Sequence, residues 1–404
     1  MEGDVKHLVF DNLVAFAYSD GLEEREREFL FKFAEENGID KDYAEKTIAT
    51  SKEFIIPEDT ETKRTILNYM IDLAMVDGNF SSEELEMCNN FVNKLGLDAS
   101  MTVLTTKLLH SLNQIDEQKM IIARKNKDIE DSLNAAKNIQ RAILPSDNKV
   151  KELLPDSFVL YLPKDIVSGD FYWVEPMKTT NGISDDDVVF VSAVDCTGHG
   201  VPGAFMSIVG YNGLNRSLKE FGLIHPDEIL EMLNTVVGEN LNEGDNQHIR
   251  NGMDISLCKL NKRTFQLEYA GAKNSVYVVK PNNGNQNFGF TIEEKHIHVG
   301  ATHSLYEIKA DRHSIGANTQ KGDFTNRVLQ LEKGDTFYIT SDGYVDQNGG
   351  PKDKKFRPQA LRQMLLSIQE MDMQEQNDHI HQTIKNWMGD AEQRDDMVVI
   401  GVRV

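Results

Sequence analysis

Val188-Val189-Phe190-Val191-Ser192-Ala193-Val194-Asp195-Cys196-Thr197-Gly198-His199-Gly200-Val201-Pro202-Gly203-Ala204 joins an apolar run, a carboxylate, a glycine-rich turn and a helix start. Residues 188–194 are rich in β-branched and aromatic side chains, which stack well on a pleated surface and predict a strand. Pro202 is acceptable in a first helical turn, where its missing N–H has no partner to lose, so a helix is expected over about 202–220. Asp195 therefore stands at a strand end, a rigid place from which to hold a ligand.

The same juxtaposition recurs. Ser168-Gly169-Asp170, Ser341-Asp342-Gly343 and Asp395-Asp396 each adjoin an apolar run. A single Asp-Gly usually marks a turn. Four acidic clusters beside strands also suit hard divalent cations such as Mg²⁺ or Mn²⁺, which take oxygen ligands and keep several waters. Two such ions can share a water, lower its pKa and aim it at phosphorus, and one bridging carboxylate would hold their spacing. Spacing alone leaves turn and metal site both open.

Around these clusters, strands are expected at Ser157–Leu162, Ile255–Leu260, Phe265–Tyr269, Ser275–Val279, Thr336–Thr340 and Met397–Val404. Further helices fit 227–241, after Pro226-Asp227, and about 358–388. The hairpin-like run through 255–280 argues for antiparallel pairing. Two helices after one strand, then several strands in succession, predict an α+β sandwich.

Upstream, residues 1–100 read as helical with a weak internal repeat. Ala17-Tyr18-Ser19-Asp20-Gly21 and Ala74-Met75-Val76-Asp77-Gly78 are each followed by acidic residues and an apolar helix face. Gly tolerates the left-handed angles that end a helix, and Ser81 or Ser82 can cap the next one. Asp20 and Asp77 either make turns or belong to a metal site. This duplicated helical pattern is similar to TerB-like domains. Residues 101–150 form a linker: Met101, Leu108, Ile115, Ile122, Ile129, Ala136 and Ile143 lie seven apart, the period of a coiled coil. The companion seam is poor, with Ser111, Gln118, Lys125 and Ser132 where apolar residues belong. A marginal dimerising helix is expected, or a long helix lying on a neighbouring domain; Pro145 stops it.

Composition narrows the classes. The chain has 404 residues, 65 acidic against 43 basic, and a net charge of −22. With no clustered Lys and Arg, a nucleic-acid partner is not expected. Three widely spaced cysteines, Cys88, Cys196 and Cys258, make no CxxC pair and fit a reducing compartment. The N-terminus lacks the features of a signal peptide, and no apolar run approaches the roughly 20 residues that span a bilayer. These readings point to the cytoplasm.

At the acidic clusters the sequence resembles the SpoIIE-like branch of the PPM-type metal-dependent protein phosphatases. Pro163-Lys164-Asp165-Ile166-Val167-Ser168-Gly169-Asp170-Phe171-Tyr172-Trp173 looks like the first metal motif of that branch, and Asp195 through Ala204 like the second. Ser341-Asp342-Gly343-Tyr344-Val345-Asp346 and Asp395-Asp396-Met397-Val398 look like the third and fourth. The resemblance implies a PPM-type αββα sandwich over 151–404 and two divalent ions, Mn²⁺ or Mg²⁺. It implies that Asp195 bridges them, that Asp170 and the Cys196 carbonyl serve one, and that Asp342 and Asp395 complete the other. A metal-bound water would attack the phosphorus with no protein nucleophile. Asp346 stands where the family often has Glu, and no counterpart of the phosphate-binding Arg of other PPM phosphatases is evident.

The resemblance further implies a regulated serine/threonine phosphatase acting on a phosphorylated STAS-type antagonist in a partner-switching circuit, with a homodimer formed through the linker. A non-catalytic phosphoprotein-binding scaffold is the alternative; such a domain would be expected to have lost a ligand, whereas Asp170, Asp195, Asp342 and Asp395 are all present. Hydrolysis of a small phosphomonoester is a third option, wanting a basic or aromatic pocket. His199 either donates a proton or orders its turn. Asp254 either contacts a third ion or makes a cap or salt bridge, and Asn274 fixes a turn. His296/His298 and His379/His381 read as surface residues, and Met70, Met75 and Met87 as core filler.

Overall fold

The computed structural model describes residues 3–18, 21–50, 53–74, 86, 89–90, 92–94, 96, 99–178, 184–242, 251–284, 288–316 and 323–404. Asp20, Asp77, Ser81, Ser82, Met75, Met87 and Cys88 lie outside them. The chain divides into two units, Met1–Ile129 and Glu130–Val404.

The first unit contains α1 (Gly3–Ala17), α2 (Glu24–Glu36), α3 (Lys41–Ile48) and α4 (Thr60–Ala74). Their apolar faces meet in a core that includes Phe10, Leu13, Leu30, Phe33, Ile48, Ile66 and the filler Met70. Helix starts follow from capping: Asp40 accepts the N–H groups of Asp42 and Tyr43 at the head of α3, satisfying donors that the helix leaves free. The helix α5 (Ala99–Ile143) spans 45 residues, and the division between the units falls within it.

In the second unit, α6 (Asp147–Leu153) follows Pro145 and is capped by Ser146. Thirteen strands come next among the described residues: β1 (Ser157–Leu162), β2 (Phe171–Lys178), β3 (Ser184–Cys196), β4 (Met253–Asn261), β5 (Gln266–Ala272), β6 (Val276–Pro281), β7 (Ile297–Val299), β8 (His303–Ile308), β9 (Arg327–Gln330), β10 (Thr336–Thr340), β11 (Asn348–Gly349), β12 (Lys354–Lys355) and β13 (Met397–Arg403). The helices are α7 (Gly200–Lys219) and α8 (Pro226–Asn242) after β3, the single turn α9 (Gly343–Asp346) after β10, and then α10 (Pro358–Ser367) and α11 (Met373–Met388). The single helix expected over 358–388 is two. Asp372 accepts the Glu375 N–H while Glu375 reaches back to the Asp372 N–H, a reciprocal cap that starts a new helix.

Two antiparallel sheets stack face to face. One has the order β1-β13-β10-β6-β8-β7, the other β2-β3-β4-β5-β9. Side chains alternate along each strand, so each strand feeds two cores. Val189, Val191 and Ala193 of β3 meet Val276, Val278, Phe337, Ile339, Val398 and Ile400 between the sheets. Phe190 and Val194, pointing the other way, meet Leu214, Leu230 and Leu233 of α7 and α8. On the opposite outer face, Tyr338, Met397 and Val399 lie under Leu361, Leu365, Ile380 and Ile384 of α10 and α11. The layers run helix, sheet, sheet, helix. Burial on both faces is why these strands read as nearly unbroken apolar runs.

Ile400, 1% exposed between the sheets, contrasts with Val299, 76% exposed. Ile400→Ala is expected to lower the unfolding free energy of this unit by about 2–5 kcal/mol in urea titrations. Val299→Ala is expected to change it by less than about 0.5 kcal/mol.

Candidate metal centre

Strand register brings the four acidic clusters to one edge of the sandwich. Asp170 immediately precedes β2, and Phe171 pairs with Val194, so Asp170 lies beside the Asp195 end of β3. Asp342 follows β10 and Asp395 precedes β13, and these strands are neighbours through Thr340 and Val399. The Asp342 N–H approaches Asp195 Oδ2 at 3.5 Å, linking the two sheets at this edge.

Close backbone approach holds the motifs together. A Cβ on Gly203 would stand 2.2 Å from the Gly198 carbonyl oxygen and 2.8 Å from the Gly169 Cα, and one on Gly169 would stand 2.4 Å from that same oxygen. The first motif loop therefore nests against the glycine-rich turn of the second, with the Cys196 carbonyl 3.3 Å from the same point at Gly169. A Cβ on Gly343 would fall 1.9 Å from the Asp396 carbonyl oxygen, so the third and fourth motifs touch in the same manner.

Asp395 and Asp396 have different surroundings. Asp396 is buried, and its two oxygens accept the Lys164 and Gly169 N–H groups, each at 2.7 Å. It staples the first motif loop to the start of β13. Asp395 is exposed, with Oδ1 accepting the Asp396 N–H at 2.9 Å. The Cys196 thiol is buried and pushed well up by that burial, with the surrounding carboxylates adding to the effect.

The electrostatics are those of crowded anions. Burial pushes the Asp170 carboxyl well above the ordinary carboxylate range; the charge of Asp195 adds to this, and a hydrogen bond with Ser341 offsets part of it. Asp195 is raised by burial and then by the charges of Asp342 and Asp254. Asp342 is raised by the protein packed around it and by Asp346, Asp395 and Asp254. Asp195 and Asp254 are direct cross-strand partners in the β3–β4 ladder, a placement in which like charges repel.

Divalent cations fit this donor set. Asp170 Oδ2 is buried with no hydrogen-bond partner, an acceptor of the kind a cation would satisfy. Among the described residues no three acidic, histidine or cysteine side chains close into a ready-made cage. Mg²⁺ and Mn²⁺ are commonly held by one or two carboxylates plus waters and substrate oxygens.

The other residues singled out from the sequence have identifiable surroundings. His199 Nδ1 lies 2.7 Å from Asp165 Oδ2, joining the second motif turn to the first motif loop. Asp254 accepts from Ser314 Oγ and lies 3.5 Å from Lys273 Nζ. Asn274 offers its carbonyl to the hydroxyls of Tyr269 and Ser256, each at 2.7 Å, in the turn between β5 and β6. His296, His298 and His381 are half-buried rather than at the surface, and His296 lies 3.5 Å from Glu307; His379 is exposed. Sequence reading passed over Asp396 as an anchor, Ser341 beside Asp170, and Gln140.

A sandwich of this topology, with aspartates from both sheets at one edge, defines a PP2C-type protein serine/threonine phosphatase. The family described as Stage II sporulation protein E (SpoIIE) matches residues 185–404, more than half of the chain. The chain belongs to the SpoIIE family. It is similar to the SiaA-PP2C domain of Pseudomonas aeruginosa, with 30% identity and a TM-score of 0.57 over 70% of this chain and 99% of that one. The PP2C phosphatase domain of SpoIIE from Bacillus subtilis, with a fragment of its regulatory domain, shares 17% identity at a TM-score of 0.44, covering 62% of this chain and 63% of that one. A Mycobacterium tuberculosis protein with RsbU and RsbW domains shares 15% at 0.42, covering 62% and 60%. No curated protein matches the chain. Among the described residues no helix is long and apolar enough to cross a membrane.

The raised carboxyls have a pH signature. The folded, chelator-treated chain holds protons that the unfolded chain releases near 3.8, so this contribution to stability falls as pH rises from there through the raised values. Asp195→Asn removes one of the crowded charges. It is expected to raise the chelated protein's Tm at neutral pH, to flatten the loss as pH rises above 3.8, and to abolish the Tm gain that Mn²⁺ gives the wild type. Identical Tm–pH curves for the two proteins would contradict the crowding.

Proposed function

We propose that this chain is a regulated, metal-dependent phosphatase that hydrolyses phosphoserine or phosphothreonine on a partner protein. The observation that carries the reading is the gathering of Asp170, Asp195, Asp342 and Asp395 at one edge of the sandwich, with a buried, unpartnered oxygen on Asp170. Asp195 would face two ions, Asp170 and the Cys196 carbonyl would serve one, and Asp342 and Asp395 the other. Bound Mn²⁺ or Mg²⁺ supplies charge to neutralise the phosphoryl oxygens and lowers the pKa of the attacking water. The protein's own part is positioning: two sheets fix the aspartates, while Asp396 and the glycine contacts fix the loops. His199, tied to Asp165, orders the turn after Asp195.

The substrate that the family resemblance implies is a phosphorylated STAS-type antagonist in a cytoplasmic partner-switching circuit. Residues 1–100, similar to TerB-like domains, would act as sensor, 101–150 as transmitting linker and 151–404 as catalyst. A homodimer through the linker is supported by apolar side chains left exposed along α5, including Ile122 at 57%, Ile129 at 58% and Ile139 at 62%. Ile122 and Ile129 lie one heptad apart, where a second copy of the helix would cover them.

Full-length protein with Mn²⁺ or Mg²⁺ is expected to release phosphate from a phosphorylated STAS protein, and Asp195→Ala to lower kcat by more than about 100-fold, beyond the 10–100-fold typical for losing a group that merely supports a ligand. Activity surviving in Asp195→Ala would sink the mechanism. Light scattering is expected to give a dimer that Ile122→Asp and Ile129→Asp together convert to monomer. Deleting residues 1–100 is expected to change the phosphatase rate; unchanged kinetics and oligomeric state would remove the regulatory role.

A further inference from the structure

Gln140 lies three residues before the end of α5 and is 7% exposed. A carboxamide buried to this degree needs partners for both its ends. Its Oε1 accepts the Ser168 N–H at 3.1 Å, while its Nε2 donates to the Ser168 carbonyl at 2.6 Å and to Ser207 Oγ at 2.9 Å. One side chain therefore grips both backbone polar groups of Ser168, two residues before Asp170. Ser168 Oγ in turn donates to the Asp170 carbonyl at 3.0 Å. On the other side, Ser207 donates its own proton to the Ala204 carbonyl at 2.8 Å within α7, the helix that follows the turn after Asp195.

Gln140 thus joins three elements at one point: the end of α5, the loop that delivers Asp170, and the helix behind Asp195. We propose that Gln140 is a positioning residue for the cation site, setting through Ser168 where Asp170 stands relative to Asp195. The proposal rests on the metal-dependent phosphatase reading and adds to it the contact by which α5 bears on the site. The chemistry demands a carboxamide. A carboxylate at position 140 could accept from Ser168 N–H but could not donate to its carbonyl, and an alkyl side chain could do neither. Hydrogen bonds weaken steeply with distance and angle, so a small displacement of the end of α5 would release Ser168 and with it the loop carrying Asp170.

Gln376 provides a control. It too is buried, accepting from the Tyr338 hydroxyl at 2.7 Å and donating to the Ile368 carbonyl at 3.0 Å, in the core under α10 and α11. Full-length wild type, Gln140→Ala, Gln140→Glu and Gln376→Ala would be compared in two measurements. One is Mn²⁺ affinity by electron paramagnetic resonance; the other is amide hydrogen exchange of residues 164–170 in chelator. Both Gln140 variants are expected to bind Mn²⁺ about 10–100-fold more weakly, the range seen when support of a ligand is lost. They are also expected to exchange faster over 164–170, whereas Gln376→Ala loses thermal stability but changes neither readout. Wild-type affinity and exchange in Gln140→Ala, or equal effects in Gln376→Ala, would overturn the proposal.

If Gln140→Ala fails to fold, Ser207→Ala removes one of the three hydrogen bonds and is expected to weaken Mn²⁺ binding by roughly twofold to tenfold, the net worth of a single hydrogen bond; no change there would overturn the proposal equally. If the wild type neither binds Mn²⁺ nor hydrolyses phosphoprotein, the phosphatase reading fails by itself. The exchange of 164–170 then decides the clamp, with faster exchange in Gln140→Ala supporting it and equal exchange overturning it.

Discussion

Repulsion among carboxylates is the constraint around which this unit is arranged. Asp195 faces Asp254 across the β3–β4 ladder, with Asp170 and Asp342 close enough for each to raise or be raised by a neighbour's charge. A fold gains nothing in stability from placing buried like charges side by side. Cations satisfy such an edge, and the two sheets, with three apolar cores behind and between them, hold the edge against its own repulsion. The proposed cation site therefore lies where the structure is locally least comfortable, a pattern common to sites with strongly perturbed acids.

What keeps the loops in place is a set of short-range devices rather than the sheets alone. Asp396 captures two backbone N–H groups of the first motif loop. Gly169 and Gly203 allow close approach to the Gly198 carbonyl where any side chain would intrude, and Gly343 does the same against Asp396. Gln140 closes the set from the side of α5. Each is modest as a single interaction, but together they fix loop positions that strand pairing leaves free.

Much of this was legible in the sequence, for reasons that can be named. β1 and β10 have the bounds that their runs of β-branched and aromatic residues predict, because strand preference is a local property. The aspartates could be found because they adjoin such strands. The break at Asp372 was missed because the apolar spacing continues across it, and only the reciprocal cap with Glu375 reveals a new start. α6 was missed because Pro145 marks the end of α5 without showing that Ser146 caps another helix. In sequence Asp395 and Asp396 look alike; their division of labour depends on backbone groups more than 200 residues away. Gln140 gave no signal at all, since its partners lie 28 and 67 residues on and a lone Gln in a helix reads as a solvated position.

The central claim is that the aspartates at this edge bind divalent cations. Anomalous diffraction at the manganese edge, from crystals of the full chain grown with Mn²⁺, tests it most directly. The account predicts two peaks among Asp170, Asp195, Asp342 and Asp395, about 3.5–4 Å apart with Asp195 between them. An edge free of anomalous density at saturating Mn²⁺, or manganese bound only elsewhere, would contradict it.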